Sequence, residues 1–215
     1  MQEIRERART NLPTVLLTLL SIVQALALEF LWTFIRDNPQ VWEMTWISLL
    51  TWVQLASTFL GLVLIWVVYA SHVMRLRWVP TTTDSIYPFA IGLLEFVLIE
   101  LLGAEHIGGW MISYAAIFAL MVWISHRTMR RARRDGQNEQ FFVNLKPAKP
   151  RDFVGAFVGV SAMVIFGAYV SITSDTGAIA MIGILGTATI AIHQFRMAAR
   201  FWEQSVSDDW PNRNS

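Results

Sequence analysis

The chain has 215 residues, with 17 Lys or Arg against 16 Asp or Glu, a formal charge of +1 and no cysteine. The missing cysteines exclude a disulfide framework, an iron–sulfur cluster, a thiolate zinc site and a cysteine nucleophile. Apolar residues make up 54% and charged ones 15%, against about 25% charged in soluble domains, and the apolar residues fall in long runs that a single soluble domain would not carry.

A spanning helix needs about 20 mostly apolar residues. The first candidate, 12–35, follows a basic N-terminal segment. It is too long for the h-region of a cleavable signal and has no small-residue cleavage site after it, so it reads as a retained membrane helix. Five more follow, at 45–70, 84–103, 107–125, 153–173 and 176–197. Gly103-Ala-Glu-His and Ser174-Asp-Thr-Gly break the apolar runs with turn residues and separate the last four. The expected fold is an all-α, polytopic membrane helix bundle of about six transmembrane helices in three hairpins. Residues 1–11 form a cytoplasmic segment, 12–125 a four-helix membrane part, 126–152 a basic loop, 153–197 a Gly/Ala-rich hairpin and 198–215 a tail.

The basic residues set the orientation. Arg5, Arg7 and Arg9 precede the first span, Arg75 and Arg77 follow the second, and eight Lys or Arg lie between His126 and Asp152. Arg196, Arg200 and Arg213 lie at and beyond the end of the sixth, whereas the alternate loops hold Arg36 alone. This alternation predicts both termini in the cytoplasm, in a bacterial-type inner membrane. Segments on that side hold 16 Lys or Arg and 9 Asp or Glu, those on the other side one and four, and three glutamates lie within spans.

Asn11, Asp84, Asp152 and Asp175 stand just before apolar runs, where a short polar side chain accepts from free N–H groups. Pro13 and Pro88 are expected in first turns. Trp42, Trp46 and Trp110 are expected at the outer interface, with Tyr69, Trp78, Trp123 and Trp202 at the inner one. The exits Tyr69-Ala-Ser-His72, Trp123-Ile-Ser-His126 and Ala191-Ile-His193 look alike, and Gln24 and Glu29 match Glu95 and Glu100 locally, which suggests a parallel repeat of hairpins.

Glu29, Glu95 and Glu100 are the residues most able to carry chemistry. At 1.5 Å per residue Glu95 lies about 16 Å in from Asp84, near the midplane of a core about 30 Å thick. An ionised acid there costs several kcal/mol unless paired, hydrated or protonated, so it is expected to face a bundle interior or a water path. Glu29 and Glu100, both in the outer half, are placed either to meet across helices, with Gln24, Gln54, Ser57 and Thr58 as polar neighbours, or simply to reach water at the outer surface. Glu95 and Glu100 are five apart, about 140° around the helix, so one narrow stripe cannot hold both. A protonated Glu also serves as packing glue between helices.

His72, His126 and His193 share a membrane depth, making them a candidate metal or haem set. Each sits where a helix leaves the bilayer beside an arginine, and headgroup contact is the default there. Arg127, Arg130, Arg131, Arg133 and Arg134 form a juxtamembrane cluster expected to bind anionic lipid or a soluble partner. Gly155, Gly159, Gly167, Gly183 and Gly186 allow close helix approach within the chain or between subunits.

Two functions fit. One is a channel or transporter for a small ion or solute, with Glu95 on the path and Glu29, Glu100, Gln24 and Gln54 beside it. The other is a non-catalytic membrane subunit that assembles a complex through the basic loop. An enzyme is not expected, since no Ser/His/Asp grouping, His-Glu-x-x-His or Gly-rich phosphate loop occurs. No selectivity-filter sequence is present. The expected partners are the bilayer, anionic lipid at the cytoplasmic face, and second copies or other subunits. Nucleic acid and cofactors are not expected.

Overall fold

The computed structural model describes residues 2–78, 81–143 and 145–206, so the tail from 207 on, Arg213 included, lies outside the described residues. The regular structure is helical: α1 (Gln2–Asp37), α2 (Trp46–Arg75), α3 (Tyr87–Glu100), α4 (Ile107–Ala132), a short α5 (Glu139–Phe142), α6 (Val154–Thr173) and α7 (Ala178–Val206). All but α5 are long and apolar enough to cross a membrane. At 14 residues α3 reaches only about 21 Å, and the 3₁₀ turn Thr82–Ser85 before it extends the span to Thr82–Glu100.

The first helix departs from expectation. It starts ahead of Asn11 and carries Pro13 in its interior. The N-terminal residues are good helix formers, and Arg7 pairs with Glu3 at i,i+4 and Arg9 with Glu6 at i,i+3. Those pairs add on the order of a few tenths of a kcal/mol each to the turns ahead of Asn11. Along its apolar part Leu16, Leu20, Gln24, Ala27 and Leu31 are buried, one stripe at helical spacing. Of the other start signals only Asp175 caps the helix that follows it; Asp84 and Asp152 instead reach back to close the 3₁₀ turns that precede α3 and α6. Asp84 accepts the Thr81 N–H at 2.6 Å, Asp152 the Lys149 N–H at 2.8 Å, and Asp175 the Gly177 and Ala180 N–H groups at 3.1 and 2.9 Å. Gly103, at φ +106°, makes the turn after α3 in a region that favours glycine.

Each pair of consecutive long helices is in contact, most broadly α4 on α6, and α2 on α7 and α1 on α3 add broad packing between helices further apart in the chain. Gln24 and Ser21 of α1 meet Leu62 and Trp66 of α2, so these two run antiparallel. Phe30 stacks edge-on against Phe96, and Val23 lies against Gly92, so α1 and α3 run parallel. Backbone approach is closest between α4 and α6, where a Cβ at Gly108 would strike Gly167 and Ser171. Gly155 and Gly186 face open space. The sequence run of glycines is therefore not one contact stripe.

Loops gather at two ends. At one, Trp46 donates to the Thr176 carbonyl at 2.7 Å, and Gln54 Oε1 accepts the Gly103 N–H at 3.2 Å. At the other, Arg9 pairs with Asp135 at 2.9 Å, Asn138 binds Arg77, and Arg75 reaches the Phe201 carbonyl at 3.3 Å. The N-terminal segment, the 76–86 connection, the basic loop and the end of α7 thus share one end of the bundle.

A second small core packs the loops at that end. Leu76, Trp78, Ala132 and Phe142 cluster apart from the main core. Asn138, buried beneath α5, accepts the Arg77 N–H at 2.9 Å and donates to the carbonyls of Arg77 at 2.5 Å and Ala132 at 2.7 Å. Trp78 is accordingly buried rather than an interfacial anchor, as is Trp110, which is fully enclosed in the main core. Trp42, Trp46 and Trp123 are exposed, as membrane-interface residues should be.

Candidate functional site

Glu95 is completely buried. Its Oε1 accepts from Gln24 Nε2 at 3.1 Å, and the same amide nitrogen donates to the Leu62 carbonyl at 2.9 Å. Three helices, α1, α2 and α3, therefore meet at one carboxylate. Oε2 has no hydrogen-bond partner. Gln24 and Glu95, which occupy matching places in the two similar segments, are thus in direct contact.

Beside this pair α2 and α4 are joined by polar contacts. Trp110 donates to Thr58 Oγ1 at 3.0 Å, and Tyr114 to the Ser57 carbonyl at 3.0 Å. The Tyr114 ring fits because Gly61 has no Cβ; one there would lie 2.7 Å from the phenolic oxygen. Gln54 is fully buried, but it holds the Gly103 turn rather than Glu95.

A cavity of about 1140 Å³ adjoins these groups. Glu95, Gly61 and Tyr114 lie at its deep end, and Arg130, Arg133 and Lys146 at its mouth. Its longest wall is a stripe of α4 from Tyr114 to Arg133 recurring every three to four residues, and α7 presents a similar stripe from Thr189 to Phe201. These helices touch where Gly183 meets Met111. The cavity fills the space between them toward the end bearing the basic loop. Residues of the opposite loops, 38–45, 101–106 and 174–177, do not line it.

The remaining candidates fall elsewhere. Glu29 and Glu100 are exposed and do not line the cavity. The expectation that they meet in a polar interior is corrected, because the buried stripes of α1 and α3 run through Gln24 and Glu95 and turn both acids outward. His126 and His193 border the cavity, while His72 borders a separate small one and is held by the Val68 carbonyl at 2.7 Å. Equal depth does not bring the three imidazoles together, and among the described residues no group of three His, Asp or Glu is placed to hold a metal.

The arginine run is dispersed because α4 continues helical through Ala132. Arg131 pairs with Asp84 at 2.7 Å, Arg127 lies over Trp123 and Arg133 over Phe142, while Arg130 and Arg134 are exposed. Tyr114 and the Arg131–Asp84 pair were not singled out in the sequence. Tyr114 reads there as one more aromatic in an apolar run, and its spacing to Gly61 has no local signature. No family model matches the chain, and no curated protein or solved structure is similar to it.

Proposed function

We propose that this chain is a membrane transport protein, with a pathway for a small ion or solute that enters from the basic end and is controlled at Glu95. The observation carrying this reading is the one-sided cavity of about 1140 Å³ that ends at a fully buried carboxylate with one oxygen unpartnered. An acid in that position is a functional group by default in a membrane protein, since its burial is costly. A cavity closed at one end fits a path that opens alternately to the two sides better than a continuously open pore. The excess of Lys and Arg at the basic end supports a cytoplasmic orientation for it, and the membrane we propose is a bacterial-type inner one.

The alternative, a membrane subunit docking a partner through its basic loop, is favoured only by the exposure of Arg130, Arg134 and Val143 on that loop. Flux in proteoliposomes separates the two. Transport predicts flux of protons, sodium, potassium or chloride in the wild type that Glu95→Gln abolishes. Wild-type protein silent to all four, yet purifying with a fixed partner released by Arg130→Ala with Arg134→Ala, establishes the subunit role instead.

A further inference from the structure

The α4 wall of the cavity changes polarity along its length in the same order as half a bilayer, while α7 adds Ile190, Met197 and Phe201 with His193 and Gln194 between them. On α4 the stripe runs from Ile117, Phe118 and Met121 through Ser125 and His126 to Arg130 and Arg133. At 1.5 Å per residue, Tyr114 to Arg133 covers about 28 Å. The space is therefore elongated, and its volume of about 1140 Å³ exceeds the roughly 300–1,000 Å³ of ordinary small-molecule pockets.

The mouth is cationic. Arg130, Arg133 and Lys146 face a single acid, Asp152. That carboxylate is already engaged by the Lys149 N–H at 2.8 Å and by Arg151 at 3.9 Å. Arg130 is exposed, and Arg133 rests on the Phe142 ring at 4.4 Å from its centroid. A small inorganic anion would be served by the mouth but leave the apolar length unexplained. A hydrophobic cation would suit the length but meet like charge on entry.

We infer that the cavity is a binding site for an amphipathic anion: an acyl chain lying along the α4 and α7 stripes, its phosphate or carboxylate headgroup held by Arg130, Arg133 and Lys146. Charge-assisted contacts to the headgroup supply selectivity, and burial of the chain supplies affinity. This inference rests on the reading of the cavity as a ligand path, and it makes an amphiphile the solute that path accepts. The same chemistry is offered by a diacyl lipid of the membrane and by a free single-chain amphiphile.

The test uses the full chain in nanodiscs of a neutral lipid and photoreactive probes with a diazirine on a long acyl chain. One probe carries a phosphate headgroup and one a quaternary ammonium. Cross-links are mapped by mass spectrometry, with Phe157 and Ile165, both exposed on α6, reporting contact from the surrounding bilayer. The expected result is labelling of Phe118, Met121 and Ile190 by the phosphate probe, lower by roughly tenfold with the ammonium probe and in Arg130→Glu with Arg133→Glu. Met121→Trp, which fills the cavity and leaves the mouth unchanged, should remove the labelling while Phe157 stays labelled.

Offering the phosphate probe as a diacyl lipid built into the nanodisc, or as a single-chain form added from water, identifies the source. Labelling confined to Phe157 and Ile165, or cavity labelling indifferent to headgroup charge, overturns the inference. Ion flux sensitive to Glu95→Gln with no cavity labelling would overturn this ligand class and leave the transport reading standing. Cavity labelling without any flux would do the reverse.

Discussion

Glu95 has one oxygen on Gln24 and one without a partner, so the two halves of the carboxyl can be tested separately. Glu95→Gln keeps the shape and a group able to bond Gln24 but removes exchangeable charge. It should fold like the wild type in a thermal melt while losing flux by at least about tenfold, the effect of some 1.4 kcal/mol. Gln24→Leu removes the donor to both Glu95 and the Leu62 carbonyl. That leaves both Glu95 oxygens unpaired, while the Leu62 carbonyl keeps its intrahelical bond, for a loss of about 1–3 kcal/mol, visible as a lower melting temperature. If Gln24→Leu melts like the wild type, the three-helix junction is not a stabilising contact.

The helices are positioned by two unlike devices. Between α4 and α6, small residues allow backbone contact: Gly108→Val would drive a side chain into Gly167 and Ser171, and overpacking of this kind costs about 1–3 kcal/mol. Gly186→Ala, where nothing lies within 4 Å, should melt unchanged. Paired thermal melts of the two variants check that contrast. At the basic end the short α5 is held by a side chain instead. Asn138→Ala strips one acceptor and two donors from a buried site. Limited proteolysis within the 133–153 segment should accelerate several-fold, with a cost on the order of 1–3 kcal/mol.

For the whole molecule, the ends differ in charge and in packing. The cysteine-free chain suits single-cysteine labelling. Glu3→Cys and Gln140→Cys should react with an impermeant maleimide only after the inner face is opened, and Met44→Cys in intact cells. Reversed accessibility at Gln140 and Met44 would invert the orientation, and with it the side from which the cavity is entered.

The six long apolar helices were legible because a run of about 20 apolar residues is a local property that no distant contact need supply. Glu95 was legible for a similar reason: the cost of an embedded carboxylate is severe wherever its helix packs. Its partner Gln24, its cavity and the outward turn of Glu29 and Glu100 were not legible. All three acids interrupt apolar runs in the same way, and only neighbouring helices select which one is enclosed. Trp110 and Trp78 failed as interfacial anchors for the same reason, since an aromatic near the end of a span is either a belt residue or a core residue according to what covers it. The start of α1 was misplaced: the helix runs through Asn11 and Pro13, and its N-terminal part is tied to the basic loop by the Arg9–Asp135 pair, a tertiary contact with no local signature.

The sequence thus determined the number and apolar character of the spans, the segregation of charge between alternate loops and the exclusion of cysteine chemistry, all of them sums over neighbours in the chain. Only the tertiary structure decided that Glu95 meets Gln24, that α4 and α7 enclose an elongated cavity, and that the arginines are divided between Asp84, two aromatic rings and the cavity mouth. Those outcomes depend on which faces of separate helices come together. That choice is set by packing between residues far apart in sequence, where small groups such as Gly108, Gly167 and Gly61 permit an approach that other side chains would block.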